Sequence, residues 1–157
     1  VGRMLARGLG FDVATGVKFH ASGVGGDFDV VAAAEGKLIY LELKSSPPRH
    51  LSDAEVAAFL QRVGVLRPDL TVFAVDTALR LSDKVVPMLA AALERQAGRP
   101  VAPRRIAREL WAFTPHLYAV NARPDLLANI RLVIAQGLLA LSPPPGIPAD
   151  AGPDPRS

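Results

Sequence analysis

The chain contains no cysteine, and that absence removes disulfides, thiolate nucleophiles and every cysteine-bearing zinc motif from consideration. Aromatic residues make up only 6% of its 157 residues, with Trp111 the single tryptophan. Histidine is equally scarce. His20, His50 and His116 stand far apart with no H-x-x-x-H spacing, which reads as surface or structural histidine rather than a zinc site. Long apolar runs are missing as well. The stretch from Leu132 to Leu141 is interrupted by Gln136 and falls well short of the roughly 20 residues that a membrane helix needs. No charged segment followed by an apolar core and a small-residue cleavage site occurs. The expectation is a soluble, cytoplasmic protein with no membrane partner.

Half of the residues are hydrophobic and 21% are charged, which is the composition of one ordinary globular domain. The length suffices for one real core but not for two independent domains and their linkers. A formal net charge of +3 is compatible with a polyanionic partner and does not require one.

The chain opens on Val1 rather than Met, and Met4, Leu5 and Leu9 recur at helical spacing around Gly8 and Gly10. Residues 1–10 therefore read as the last turns of a helix that starts upstream. Phe11 to Phe19 alternates around Gly16 as a first strand, and Ser22 to Gly26 is a glycine loop. Two runs follow closely, DFDVVAA from Asp27 and KLIYLELK from Lys37, separated by Ala34, Glu35 and Gly36, as in a tight β-hairpin. Pro47 and Pro48 stop the second strand. Ser52 and Glu55 form a capping box ahead of a helix carrying Val56, Phe59, Leu60 and Val63 on one face. Leu70 to Val75 is a buried strand parallel to a neighbour, closed by Asp76 and Thr77. Ser82 opens a helix reaching about Gln96, with Pro87 in its first turns. Residues 110–120 read as one interrupted strand or two short ones, and Pro124 begins a helix reaching Leu141. These elements describe an α/β protein: a three-layer α/β/α sandwich with a central mixed sheet over residues 1–141. The proline-rich segment 142–157 reads as a disordered tail.

The hairpin carries the chemistry. A two-residue turn at Glu35 and Gly36 pairs Ala34 with Lys37, and counting outward sets Asp29 opposite Glu42 and Asp27 opposite Lys44, all on one face. Phe28, Val30, Ile39, Leu41 and Leu43 occupy the other, apolar face, which fixes the parity of the register. Opposed carboxylates, about 4.5 to 5.5 Å apart at Cβ, repel by about 3 kcal/mol at an effective dielectric near 20. A divalent cation offsets that repulsion directly, because Mg²⁺ and Mn²⁺ take hard oxygen ligands and leave positions for water and a phosphate oxygen. Lys44 falls roughly 7 Å along the same face from Glu42. The competing interpretation is a solvated strand face, the usual context of an isolated E-x-K, with Asp27 and Lys44 forming a surface ion pair worth little.

The sequence G-G-D-F-D-V-V, nine intervening residues and then I-Y-L-E-L-K-S-S, followed by the capped crossover helix, resembles the PD-(D/E)xK nuclease superfamily. That is the restriction-endonuclease-like fold of Mrr-type restriction enzymes and archaeal Holliday-junction resolvases. The likeness runs from about Val1 to Thr77. It implies a restriction-endonuclease-like core and hydrolysis of DNA phosphodiester bonds with Mg²⁺ or Mn²⁺. Asp29 and Glu42 would be metal ligands, with the Leu43 carbonyl as an extra one, and Lys44 would position the nucleophilic water. Three departures from the pattern stand out. No proline precedes Asp29, residues 1–10 hold no glutamate, and Val65 stands where the RecB-like branch has tyrosine, four residues after Gln61.

Other polar residues carry weaker signals. Gln61 and Arg62 could meet phosphates or lie on an exposed helix face, and Arg104, Arg105 and Arg108 could touch a DNA backbone or simply solubilise. Two functional expectations follow: a metal-dependent endo- or exodeoxyribonuclease, and a non-catalytic module of the same fold that binds nucleic acid or a protein. Symmetric cleavage of a duplex would require a homodimer, and no residue pattern marks an interface.

Overall fold

The computed structural model describes residues 2–18, 27–34, 36–45 and 48–141. The loop expected at Ser22 to Gly26 and the segment 142–157 lie outside the described residues. The elements are α1 (Gly2–Leu9), β1 (Asp12–Val17), β2 (Phe28–Ala34), β3 (Lys37–Lys44), α2 (Asp53–Leu66), β4 (Leu70–Val75), α3 (Val85–Ala97), β5 (Arg104–Ala107), β6 (Leu110–Thr114), β7 (Leu117–Asn121) and α4 (Leu126–Leu141). They build a mixed α/β fold around one open seven-stranded sheet of order β1-β2-β3-β4-β7-β6-β5. The β3–β4 and β4–β7 pairs are parallel and the remaining pairs antiparallel. No helix among the described residues is long and apolar enough to cross a membrane.

Local chemistry sets the helix ends. At α2 the Ser52 hydroxyl accepts from the Glu55 N–H at 3.3 Å while Glu55 Oε2 accepts from the Ser52 N–H at 2.9 Å, completing the capping box. The helix closes at Arg67, in the left-handed region at φ 48°, immediately before Pro68. At α3 the N-cap is Lys84 rather than Ser82, which belongs to a 3-10 turn at Leu81–Asp83. Pro87 then falls within the first turn, where backbone N–H groups have no intrahelical partner. Pro124 lies just outside α4, whose first turn is capped instead by Asp125, its carboxylate accepting from Ala128 N–H at 3.0 Å.

The sheet has more strands than the sequence pattern predicts. Residues 110–121 form two strands, folded as a hairpin about Pro115 and His116. The segment expected to be a basic cluster includes β5, a four-residue edge strand, largely exposed and irregular in its pairing between Arg105 and Ala107. Such an edge has no clean alternation because only one neighbour and little core constrain it.

Both faces of the sheet are buried. Tyr40, Phe73, Val75, Leu117 and Ala119 pack under α2 and α3 with Val56, Phe59, Val85 and Leu89. On the opposite face Ile39, Leu41, Val72, Ala74, Tyr118 and Val120 pack under α4 with Ile130 and Val133. β4, buried along its whole length, reads as a continuous apolar run for that reason.

Candidate functional site

The β2–β3 hairpin has the expected register, with Ala34 paired to Lys37 and Val30 to Leu41. Beyond that pair the strands change. Gly16 of β1 adopts φ 61°, and after it Val17 and Phe28 both join the cluster beneath α2 instead of the face of Val30 and Leu41. The Phe28 ring meets Tyr40 edge-on at 5.2 Å between centroids. The apolar face expected from strict alternation is therefore broken at Phe28. Asp29 Oδ2 accepts the Leu43 N–H at 2.8 Å.

Glu42 points beneath α2 and is only 2% exposed. A buried carboxylate requires partners, since an unpaired one costs several kcal/mol. Three donors supply them. Arg62 Nη2 lies 2.7 Å and Lys44 Nζ 2.8 Å from Glu42 Oε1, and the Tyr40 hydroxyl donates to Oε2. Arg62 Nε in turn donates to the Tyr40 oxygen at 3.0 Å, closing the network. Burial, with the Glu42 carboxylate beside it, pushes the Tyr40 phenol well above its usual range. Burial opposes the charge on Arg62, but its bonds to Tyr40 and Glu42 outweigh that and raise its proton affinity further.

Asp29 shares this electrostatic neighbourhood. Burial raises its pKa first and the Glu42 charge adds to the rise, while the Leu43 N–H, Lys44 and Arg62 pull the other way without cancelling it. The structure thus brings Asp29, Glu42, Leu43 and Lys44 together at the ends of two adjacent strands. The Asp27–Lys44 ion pair weighed from the sequence does not form. Asp27 is exposed, and Lys44 turns to Glu42 instead.

Two participants, Tyr40 and Arg62, carry roles that sequence reasoning missed. Tyr40 lies two residues from Glu42 and so shares its face. Arg62 is 6% exposed, and it follows Val56 and Phe59 at three-residue steps along the apolar side of α2. An arginine in that stripe is the available signal of a buried countercharge. Gln61, by contrast, is exposed, and Asp76 pairs across the loops with Arg123 rather than capping its own turn.

The donor set suits a hard divalent cation in kind but is small. Among the described residues no group of three or more His, Asp or Glu side chains converges on one point. Glu42 Oε1 already accepts from two donors and Oε2 from one, which by lone-pair count leaves one acceptor position on Oε2. The repulsion between neighbouring acids, which the sequence argument assigned to a metal, is offset on the Glu42 side by Arg62 and Lys44. Asp29 retains its second oxygen and a carboxylate desolvated beside another, which are the properties a cation ligand brings. Comparison of the chain with protein-family models, with curated proteins and with solved structures finds no match.

Proposed function

We propose that the chain is a divalent-metal-dependent hydrolase of DNA phosphodiester bonds built on a restriction-endonuclease-like core. The observation that carries this reading is the clustering of Asp29, Glu42 and Lys44 at the ends of β2 and β3, with Lys44 Nζ 2.8 Å from Glu42 Oε1 and Asp29 tied to the Leu43 N–H. The connectivity α1-β1-β2-β3-α2-β4, with β3 and β4 parallel across the α2 crossover, supports it. Asp29, Glu42 and the Leu43 carbonyl would hold Mg²⁺ or Mn²⁺, and a bound ion supplies Lewis-acid charge at the attacking water and the phosphate. The chain's own groups do the positioning. Glu42 anchors the Lys44 ammonium, and that ammonium faces a non-bridging phosphate oxygen and stabilises the charge that develops there. Arg62 and Tyr40 hold Glu42 in one orientation from beneath.

A second reading is favoured by one specific feature. Glu42 is already compensated by Arg62, Lys44 and Tyr40, as it would be in a non-catalytic module that binds nucleic acid through its basic surface. The experiment that decides incubates the purified chain with plasmid, linear, branched and single-stranded DNA in Mn²⁺, alongside melting curves across a Mn²⁺ titration. The nuclease reading expects cleavage that is lost in Glu42→Gln and Lys44→Ala, and a melting temperature that rises with Mn²⁺. Cleavage surviving in both variants overturns the site assignment. Salt-sensitive DNA binding with neither cleavage nor a Mn²⁺ response selects the second reading.

A further inference from the structure

A cavity of about 860 Å³ among the described residues lies away from Asp29 at the carboxyl ends of β4 and β7. Those two strands are parallel neighbours, yet the helices that follow them diverge: α3 packs on one face of the sheet and α4 on the other. The chain leaving the sheet in opposite directions opens a crevice there, the topological switch point at which open α/β sheets take their ligands. Its floor is preformed. Asn121, 5% exposed, donates from Nδ2 to the Thr77 carbonyl at 2.9 Å and accepts the Arg123 N–H at 3.0 Å, clamping the loop after β4 to the loop after β7. Asn129 fastens the same turn by donating to the Asn121 carbonyl at 2.7 Å.

The lining is chemically two-sided. Arg80, Arg105, Arg108 and Arg123 face the cavity against one acid, Glu109. Arg123 is paired with Asp76, but Arg80, Arg105 and Arg108 form no ion pair among the described residues. Guanidinium forks are the side chains best matched to phosphate oxygens. Beside them sit Trp111 and two of the large apolar side chains that stand exposed, Leu79 at 54% and Leu132 at 48%. Glu109 spends Oε2 on the Leu81 N–H at 2.8 Å and keeps its other oxygen, an acceptor of the kind that sugar hydroxyls engage. The volume falls within the usual range for small-ligand sites.

We infer that this crevice is a nucleotide-binding site, with Arg80 and Arg108 taking the phosphate and Leu79, Leu132 and Trp111, whose ring Arg105 also approaches at 5.9 Å from its centroid, lining the place of the base. The inference stands on residues separate from Asp29, Glu42 and Lys44 and does not rest on the nuclease reading. A nucleotide can reach it free in solution or as the phosphorylated end of a strand. An adjoining groove through Arg123, Asp76 and Arg49 to Ser45, the residue after Lys44, accommodates the second case.

Trp111 is the only tryptophan, so its fluorescence reports on the crevice directly. The full chain is titrated with AMP, ADP, a short oligonucleotide bearing a 5′-phosphate, its 5′-hydroxyl counterpart, and inorganic phosphate. A saturable emission change with AMP or ADP identifies a free nucleotide as ligand. One that appears only with the 5′-phosphorylated strand identifies a strand end. In either case Arg80→Glu combined with Arg108→Glu, both at exposed positions, weakens binding by at least about tenfold with the melting temperature unchanged. Glu42→Gln leaves the titration as in the wild type. No saturable response to any nucleotide, an equal response to inorganic phosphate, or undiminished binding by the double variant overturns the proposal.

Discussion

Arg62 on α2 and Glu42 on β3 form a buried ion pair at 2.7 Å that ties the crossover helix to the strand it follows. Both ends are desolvated, so the pair contributes little net energy when intact but is costly to break from one side. Arg62→Met should destabilise the fold by about 3 kcal/mol, because Glu42 would stay buried with Lys44 as its only remaining cation. Adding Glu42→Gln to Arg62→Met should restore most of that loss, since no buried charge is then left uncompensated. Urea denaturation of the two single variants and the double variant measures the coupling. A single Arg62→Met variant as stable as the wild type would remove the pair from any structural role.

Asp29 makes a prediction of opposite sign. Its pKa is raised in the folded chain, by burial first and by Glu42 second, so the folded state binds that proton more tightly than the unfolded one. The stability associated with this group is fully present below the unfolded value of about 3.8 and is lost as pH rises through the higher folded value. Asp29→Asn retains an oxygen for the Leu43 N–H and removes the charge. The variant should therefore melt higher than the wild type at neutral pH, and the difference should shrink to nothing as pH falls below the ordinary carboxylate range. Melting curves between pH 3 and 8 check this; a constant or inverted difference would contradict the assigned cause. If Asp29 serves the reaction proposed above, the more stable variant is also the inactive one.

How far the sequence discloses this molecule depends on how local each determinant is. The capping box of α2 and the parallel placement of β4 follow from neighbours in the chain and form as their patterns predict, and so does the hairpin register between Val30–Leu41 and Ala34–Lys37. The break at Phe28 does not, because Phe28 packs with Tyr40 in the cluster beneath α2, whose residues come from farther along the chain. From the hairpin alone Glu42 reads as solvated or metal-bound, since the helix that covers it and the arginine that pairs with it come from residues 53–66. The crevice at β4 and β7 leaves no local pattern in the sequence for a related reason. Its arginines are scattered from Arg80 to Arg123 and converge only through topology.

The capping box offers a test of local energetics free of the site. Glu55 is held below the usual carboxylate range by the Ser52 backbone N–H and hydroxyl, so the box persists ionised at neutral pH. Ser52→Ala removes the acceptor for the Glu55 N–H and should cost about 1 kcal/mol. The loss should appear as a lower urea midpoint with an unchanged slope, and a changed slope would indicate a wider disturbance of the folded or unfolded ensemble.

Two helical glycines separate propensity from packing. Gly64 lies on the exposed side of α2, and a Cβ built there meets nothing within 4 Å. Gly64→Ala should therefore stabilise the fold by about 0.5 to 1 kcal/mol, the full difference in helix propensity. Gly137 in α4 faces the sheet, and a Cβ there would stand 2.6 Å from Leu70 Cδ1. Leu70 is itself fully buried, so its side chain has little room to withdraw. Overpacking of this kind costs about 1 to 3 kcal/mol and should cancel or exceed the same propensity gain. Melting temperatures of the two alanine variants should move apart, Gly64→Ala upward and Gly137→Ala level or downward. A rise of equal size in both would mean that α4 does not press on β4 through Gly137 and Leu70.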